Sequence, residues 1–466
     1  MASMDVVVVG AGPAGLAAAI AAAEAGAEVL VLDENPDVGG QIYRQPPSTF
    51  RKRDAAVAQA KDHAAGKALI ARARSLPISF RHGVTVWGVF DGTRVACVDA
   101  DGAFEVVARR LILATGAYDR PVAFPGWTLP GVMTAGGLQN LLKSQAVLPG
   151  RRVAVLGTGP LILVVARQLL ASGAEVAVVA ESTSYLTNWR SALSIAWEPG
   201  LMLEGARYIM ALRRAGVPYL TSHGVVRADG DDVVRSVTSA DLDRDGRAIP
   251  GRERRWDVDM VCVGYGFLSS VELVAQAGAR LRFEPAFDAW VPERGADMRT
   301  SLEAVFAVGD GAGVAGSVVA ELEGHIAGRA AALDLGCDRG DEATVRRAHA
   351  RLARLTRFRR GIDALYRFRP GLLDGIDDDT VICRCEEVVA SQVHEAIEAG
   401  ADHVNEVKGW TRCGMGLCQG RLCASTLAHV VGKAVGGEPA QVGPYTVRPP
   451  AKPVPISALI EHIDVS

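Results

Sequence analysis

Short apolar runs, each followed by glycine and then by a helix-like stretch, recur along this chain of 466 residues. The first run, Asp5–Val9, places four valines after an aspartate, which is typical of a buried parallel strand. A helical run of Ala and Leu from Leu16 to Ala25 ends at Gly26, and a second apolar strand begins at Val29. This order of strand, glycine turn, helix and strand predicts an α/β fold with a parallel sheet.

The turn after the first strand contains glycines at the spacing of a dinucleotide-binding turn. Gly10 permits the tight turn, Gly12 lets the backbone approach a pyrophosphate, and Gly15 lets the helix pack close to the strand. An acid at the end of the second strand then accepts the ribose hydroxyls. Asp33 has the expected spacing, and Glu34 is the substitute. The pattern predicts dinucleotide binding, and the alternative is a glycine-rich turn without a ligand.

Three later segments are expected to return to the same nucleotide. Gly40 and Gln41 follow the second strand and can turn the backbone near the far half of a dinucleotide. An antiparallel meander is predicted over residues 84–89, 93–99 and 104–107, and Val86 in it is a predicted cofactor contact. A buried strand from Arg110 then ends at Thr115 and Gly116. This Ala-Thr-Gly turn resembles the one that returns to the flavin nucleotide in flavoproteins with two dinucleotide-binding domains.

The segment Val305-Phe-Ala-Val-Gly309-Asp310-Gly311 resembles the second flavin motif of the same superfamily. In that motif a strand ends at an aspartate that binds the ribityl or pyrophosphate part of FAD, which is the role this resemblance implies for Asp310, next to Gly309. Together with the first glycine turn, the resemblance favours FAD over NAD as the ligand of the first domain.

A second dinucleotide-binding pattern begins near Arg152 but departs from the usual glycine and acid positions at two residues. Gly157 and Gly159 are in place, but Ile162 occupies the position of the third glycine, where a branched side chain should push the helix off the strand. Ala180 occupies the position of the ribose acid, and Glu181 comes one residue late. We therefore expect a nicotinamide-type fold that has lost its ligand contacts.

Composition narrows the classes of protein that the chain can represent. A net charge of −3 and a pI near 6.3 give no reason to expect a nucleic-acid partner. The uncharged stretch from Val6 to Ala23 is interrupted by glycine and proline, and the first residues lack a basic signal-peptide region. We expect a cytoplasmic protein without an integral membrane segment.

The basic helix over residues 345–369 is interpreted as a linker packed on the body and facing acids at Asp374 to Asp379; the alternatives are a membrane-surface or nucleic-acid helix.

Five of the eight cysteines lie between Cys383 and Cys423. Such crowding argues for a metal site rather than a disulfide framework. The Cys-x-Cys pair and the later four-residue spacing fit an iron–sulfur cluster better than zinc, which usually uses two residues between paired cysteines. Reduced structural cysteines are the third interpretation. The predicted cluster ligands are Cys383, Cys385, Cys413 and Cys418. Cys423 is expected to be a spare thiol, because a helix should carry it away.

Two stretches resemble known families closely. The Cys383-Arg-Cys-Glu-Glu opening and the segment from Thr411 to Cys423 resemble the 2Fe-2S domain of the bacterioferritin-associated-ferredoxin type. Residues 120–137 resemble the FAD-dependent α subunit of heteromeric amino- and imino-acid dehydrogenases, which include opine oxidase, hydrogen cyanide synthase and hydroxyproline or proline dehydrogenase. This similarity covers nearly the whole chain.

The resemblance implies two Rossmann-like dinucleotide-binding domains, one inserted in the other, and a small C-terminal helical iron–sulfur domain. The implied division is an FAD-binding domain in two parts (1–125 and 291–337), an inserted degenerate NAD-type domain (126–290), a basic helical linker (338–375), a 2Fe-2S-binding domain (376–438) and a proline-rich tail (439–466), which should run extended over a surface.

The resemblance also implies cofactors and partners. It implies FAD and a 2Fe-2S cluster in this chain and a separate FAD-containing β subunit that oxidises the C–N bond of the substrate. FMN lies at the subunit interface in some members, and a small third subunit is compatible with the pattern. Two other functions stay open from the residues, namely a free-standing NAD(P)H-dependent flavin reductase and a partner-docking module with a vestigial flavin site. No catalytic base can be named.

Overall fold

The computed structural model describes residues 2–44, 61–185, 199–339 and 342–462. The strands in chain order are β1 (Ala2–Val9), β2 (Val29–Asp33), β3 (Ile78–His82), β4 (Thr85–Phe90), β5 (Arg94–Asp99), β6 (Gly102–Leu113), β7 (Ala117–Asp119), β8 (Val132–Thr134), β9 (Arg152–Gly157), β10 (Glu175–Glu181), β11 (Tyr219–Thr221), β12 (His223–Asp229), β13 (Ser236–Leu242), β14 (Ala248–Asp257), β15 (Met260–Gly264), β16 (Phe267–Ser269), β17 (Leu281–Glu284), β18 (Ala289–Pro292), β19 (Val305–Ala307), β20 (Val381–Cys383) and β21 (Val388–Val389).

The helices are α1 (Pro13–Ala25), α2 (Lys61–Arg74), α3 (Ala135–Gln145), α4 (Pro160–Ala171), α5 (Pro199–Arg214), α6 (Glu272–Gln276), α7 (Ser317–Asp334), α8 (Glu342–Leu365), α9 (Ala390–Glu398), α10 (Val404–Thr411), α11 (Ala424–Val435) and α12 (Ile456–His462). The sequence pattern from Asp54 to about Ser75 predicts a helix; α2 lies within this range, and residues 54–60 are outside the described part. The sequence pattern from Glu386 to Gly400 predicts a helix, and the observed helix α9 begins four residues later, at Ala390, because the hairpin β20–β21 precedes it.

The first sheet has seven strands and contains the predicted nucleotide unit. Its order is β3-β2-β1-β6-β5-β4, and β19 pairs with the second half of β6. Strands β1, β2, β3, β6 and β19 are parallel, whereas β4, β5 and the first half of β6 form the predicted antiparallel meander. The meander strand near Phe104 and the buried strand from Arg110 are therefore one continuous strand. This strand carries the chain from the meander directly to Thr115.

The second sheet lies between the two parts of the first along the sequence. It has five parallel strands in the order β11-β10-β9-β15-β8. The chain enters it after β7 and returns through β16, and these two strands pair with each other at the crossing. The α/β class and the two Rossmann-like sheets agree with the prediction.

Helices α1 and α7 pack closely because glycine faces alanine between them. A Cβ atom on Gly324 would lie 2.0 Å from the carbonyl oxygen of Ala14, and one on Gly328 would lie 2.1 Å from that of Ala18. Backbone therefore meets backbone along this helix pair. Since α1 follows the first glycine turn and α7 follows Asp310, the contact brings two distant motifs to one place.

The basic helix α8 packs against α7, as expected of a linker on the body, and ends at Leu365. The expectation that its arginines face the acids after position 373 is wrong at Asp374. That carboxylate is paired instead with Arg247 (2.7 Å) and Lys433 (2.6 Å). Within the described ranges, no helix is long and apolar enough to cross a membrane.

Candidate functional site

A cavity of about 940 Å³ runs along the carboxyl ends of the parallel strands of the first sheet. It extends from the first glycine turn to the segment after Asp310, so that both predicted flavin motifs open onto it. The predicted cofactor residues that line it are Gly10, Gly12, Asp33, Glu34, Gly40, Gln41, Val86, Thr115, Gly116 and Asp310. Separated stretches of sequence therefore meet in one cavity.

The backbone forms a close-fitting cradle at the glycine turn. Gly10 has a φ of +101°, and a Cβ atom there would lie 2.4 Å from the carbonyl oxygen of Ala114. A Cβ on Gly40 would lie 2.8 Å from the Cα of Gly12. At Gly12 itself φ is −74°, and the nearest atom to a Cβ is 3.9 Å away. Gly12 is therefore dispensable for the fold but leaves room in the cavity, as a pyrophosphate requires.

Helices α1 and α7, which start at the cavity, both begin on a glycine. The N-caps are Gly12 for α1 and Gly316 for α7, and neither has a capping side chain among the described residues. Asp310 accepts hydrogen bonds from the backbone N–H groups of Ala315 (2.9 Å) and Gly316 (3.0 Å). The remaining N–H groups of the first turns suit the acceptor atoms of a phosphate or a flavin ring.

The two candidate ribose acids have different surroundings. Asp33 is buried and accepts from the N–H groups of Ala11 (2.5 Å) and Asn35 (2.7 Å). Glu34 is half-exposed, and its carboxylate pairs with the ammonium group of Lys452 near the C-terminus. Asp33 is thus fixed at the end of its strand, whereas Glu34 takes part in a contact that the sequence did not indicate.

Gly15 and Gly309 lie behind the cavity rather than in its lining. A Cβ on Gly15 would be 1.8 Å from the carbonyl oxygen of Gly10, and one on Gly309 would be 2.7 Å from the Cβ of Ala14. These two glycines let α1 approach the strands. They act on a cofactor through the packing of the turn.

The second glycine turn differs from the prediction at its acid. In β10 the register shifts between Val176 and Val178, so that Glu181 pairs with Gly157 and Ala180 with Leu156. In the first domain Val9 pairs with Leu32, and one position further on the same register sets Gly10 beside Asp33. The irregularity therefore absorbs one residue and places Glu181 where an acid is needed. The prediction that Ala180 holds this position is wrong.

The Glu181 carboxylate is buried and held within the protein. It accepts from the N–H groups of Gly159 (2.9 Å) and Thr183 (2.8 Å) and from the hydroxyl of Thr158 (3.0 Å). Burial raises the pKa of Glu181 against these hydrogen bonds. Ile162 is also accommodated: it is fully buried, and its Cγ2 lies where Gly264 on β15 leaves space.

The end of α8 covers this second turn. The Thr183 hydroxyl donates to the carbonyl of Leu365 (3.3 Å), and the Tyr366 ring lies against Gly159. The Tyr366 hydroxyl lies 3.3 Å from that of Tyr185. The turn thus has its acid and is packed against Tyr366, and Thr158, Gly159 and Tyr366 all line the cavity of the first sheet.

Three cysteines meet in the interior of the C-terminal region. The Sγ atoms of Cys383, Cys413 and Cys423 lie within 4.8 Å of one another, and all three residues are buried. Hydrogen bonds with the Cys413 and Cys423 thiols lower the pKa of Cys383. The Tyr445 hydroxyl lies 3.6 Å from the Sγ atoms of both Cys413 and Cys423. A thiolate is therefore favoured at the centre of this group.

The other two cysteines form a more exposed pair. Cys385 is exposed and Cys418 is half-buried, and a hydrogen bond joins their side chains. Gly416 permits this approach, since a Cβ there would lie 2.3 Å from the Cβ of Cys385. All four predicted ligands thus belong to one of two adjoining thiol groups linked through Cys383-Arg-Cys385.

The expectation that a helix carries Cys423 away is wrong. Helix α11 begins at Ala424, so Cys423 is the residue before the helix and its thiol points back to Cys383 and Cys413. Among the described residues, three thiols lie close enough together to share a metal, whereas a 2Fe-2S cluster takes four thiolates. Cys423 belongs to the same buried group as the predicted ligands Cys383 and Cys413.

The cysteine region borders the cavity directly. Arg421, between Cys418 and Cys423, lines the cavity, pairs with Glu272 (2.8 Å) and donates to the carbonyl of Cys418 (3.3 Å). Burial raises the pKa of Tyr118, which lies beside Glu272 and Arg421. The first sheet and the cysteine region therefore share one set of charged side chains at this wall.

Sequence reasoning missed several cavity residues. They come from the helices and loops that close it, namely Glu272, Arg359, Asp363, Arg421, Ala451 and Lys452. None belongs to a nucleotide motif. For Arg421 the only available signal was its position within the cysteine segment.

Residues 4–332 match the family described as pyridine nucleotide-disulphide oxidoreductase. The chain belongs to this family. Residues 378–462 match the sarcosine oxidase A3 domain. Among curated relatives, the chain is 35% identical over 98% of its length to one of the subunits of opine oxidase from Rhizobium meliloti, of which it covers 87%. It is also 35% identical to hydrogen cyanide synthase subunit HcnB from Pseudomonas aeruginosa, covering 97% of both chains.

Among solved structures, L-proline dehydrogenase from P. horikoshii matches 98% of this chain and 79% of its own with a TM-score of 0.69. At 22% identity this likeness shows the fold alone. The predicted resemblance to subunits of heteromeric amino-acid and opine oxidising enzymes agrees with these relatives. The oxidoreductase family match supports FAD as the ligand of the cavity.

We expect Gly12→Val to yield a folded protein that retains roughly a tenth or less of the wild-type flavin, because the new side chain takes the space of the pyrophosphate. Flavin content after reconstitution measures the effect, and circular dichroism checks the fold. Gly205→Val is the control, since a Cβ on this helical glycine meets no atom within 4 Å. Full flavin in the Gly12 variant would contradict the assignment of the turn.

Proposed function

We propose that this chain is the FAD- and 2Fe-2S-carrying electron-transfer subunit of a heteromeric dehydrogenase or oxidase. The complex acts on an amino acid, imino acid or opine at a CH–NH or CH–NH2 bond, and a partner β subunit with its own FAD carries out that oxidation. The observation that carries the proposal is the buried group of three thiols, Cys383, Cys413 and Cys423, in a region whose Arg421 lines the cavity.

Different residues of the cavity are proposed to bind different parts of FAD. Gly12 and Gly40 would leave room for the pyrophosphate, Asp33 would accept the ribose hydroxyls, and the start of α7 at Ser317 would face the flavin. When bound, FAD takes up an electron pair, and a 2Fe-2S cluster passes electrons singly. Arg421 and Glu272 supply fixed opposite charges between the two sites, which keeps the wall ordered.

The partners are inferred from relatives. The opine oxidase and hydrogen cyanide synthase relatives are named as subunits, which supports a β subunit for this chain. FMN at the subunit interface fits the same pattern, as does a small third subunit. We place the complex in the cytoplasm.

The cluster ligands are proposed to be Cys383, Cys385, Cys418 and one of the two remaining buried thiols, of which Cys413 is the predicted one. Cys413 and Cys423 compete for this place, since both lie beside Cys383.

Five single Cys→Ser variants test this assignment. We expect iron content and the low-temperature EPR signal to be lost when Cys383, Cys385, Cys413 or Cys418 is replaced, because each removes a thiolate. The Cys423 variant should keep both. If the Cys423 variant loses the iron and the EPR signal while the Cys413 variant keeps them, the fourth ligand is Cys423 rather than Cys413. Retention in all five variants would disprove these cysteines as the ligands, and a wild-type chain without iron and without the signal would disprove the cluster.

A second candidate function is an NAD(P)H-dependent flavin reductase, which the position of Glu181 favours. We expect NADH and NADPH not to bleach the flavin at a useful rate, because the Tyr366 ring, which directly follows α8, lies against Gly159, where the pyrophosphate of a nicotinamide nucleotide would bind. Anaerobic rapid mixing with each nucleotide measures the rate. Fast reduction would favour the reductase.

The purified chain alone is expected not to oxidise the substrate, because no residue of the cavity is tied by motif to a substrate carboxylate or amine. Dye reduction with proline, hydroxyproline, sarcosine and opines should appear only when the chain is co-expressed with the products of its neighbouring genes. Robust turnover by the chain alone would contradict the relay function.

A further inference from the structure

The proline-rich segment near the C-terminus runs over the protein surface as predicted, with Pro444, Thr446, Arg448 and Pro449 exposed, but its end is buried at Ala451. Residues 444–452, which we call the C-terminal strap, cross from the cysteine region to the cavity. At the first end, the Tyr445 hydroxyl donates to the carbonyl of Cys413 (3.1 Å). The Asn405 side chain donates to the carbonyl of Pro444 (3.1 Å) and accepts from the N–H of Thr446 (2.9 Å). The strap is thus anchored beside the thiols.

The other end of the strap lies in the cavity wall. The N–H of Ala451 donates to the carbonyl of Trp87 in β4 (2.7 Å). Ala451 is only 2% exposed and packs in the same apolar cluster as Val86. The next residue, Lys452, pairs with Glu34, and both Ala451 and Lys452 line the cavity. The strap therefore joins β2 and β4 at the cavity edge.

This edge is the end of the cavity where the adenosine of a dinucleotide belongs. Glu34 directly follows Asp33, the acid at the end of β2, and the ribose of a bound dinucleotide lies at such an acid. Resting on the proposed FAD site, we infer that the C-terminal strap is part of that site, with Lys452 as a positioning residue that closes the adenosine end through Glu34.

Arg421 links this closure to the cysteine region. Its guanidinium donates to the carbonyl of Ala451 (3.1 Å) as well as to that of Cys418, and it pairs with Glu272. The Arg421 side chain therefore contacts the strap at Ala451, the Glu272 carboxylate and the carbonyl of Cys418. Retention of FAD depends in this way on a segment more than 400 residues from the glycine turn.

Three substitutions at Lys452 test the inference in the full-length chain. The Lys452–Glu34 pair is partly exposed, so Lys452→Ala should raise the dissociation constant of FAD roughly twofold to fivefold. Lys452→Glu places two carboxylates together and should raise it about tenfold or more, whereas Lys452→Arg should stay near the wild type. Quenching of flavin fluorescence gives the constant. The FAD-induced rise in Tm should shrink in the same order, with the Tm of the FAD-free protein unchanged.

Lys433 provides the matched control, because its ammonium also pairs with one carboxylate, Asp374, and lies outside the cavity lining. Lys433→Ala and Lys433→Glu should bind FAD like the wild type. Wild-type binding by Lys452→Glu, or equal losses in the Lys433 series, would overturn the role of the strap. A wild-type chain that takes up no FAD would instead refute the proposed function.

Discussion

The backbone contact between α1 and α7 is the constraint on which the cavity depends. Gly324 and Gly328 face Ala14 and Ala18 so closely that no side chain fits between them. This contact fixes the start of α1 beside the start of α7, although about 300 residues separate the two. The two flavin motifs can meet only because small residues occupy both helices. A methyl group on Gly324 would displace the helices and with them both ends of the cavity.

The sequence alone was sufficient for features that depend on local spacing. The glycine turn, Asp33, the meander with Val86 and the Asp310 segment were predicted because each is encoded within a few neighbouring residues. Glu181 was misjudged because a register irregularity in β10 shifts the count by one, and a count along the sequence cannot reveal it. Cys423 was misjudged because its orientation depends on where α11 begins, and helix ends are poorly determined by pattern.

Contacts between distant segments could not be predicted from the sequence, for a different reason. Nothing local distinguishes Lys452 from any other lysine, yet it reaches Glu34, and nothing in β4 indicates that Trp87 will accept from Ala451. The proline-rich composition correctly predicted an extended segment. Its destination followed only from the packing of the cysteine region against the first sheet.

That packing rests on a buried charge network. Arg120, which is 4% exposed, pairs with Asp288 (2.9 Å) and donates to the hydroxyl of Ser425 (2.8 Å), and His429 lies 2.8 Å from the same Asp288 carboxylate. Removing one partner of such a buried pair costs roughly 3–5 kcal/mol, because the other charge is left without compensation. Since Ser425 and His429 belong to α11, these contacts fix the position of the cysteine region relative to the cavity. The proposed relay between the two sites would require such a fixed separation, which these buried ion pairs can maintain.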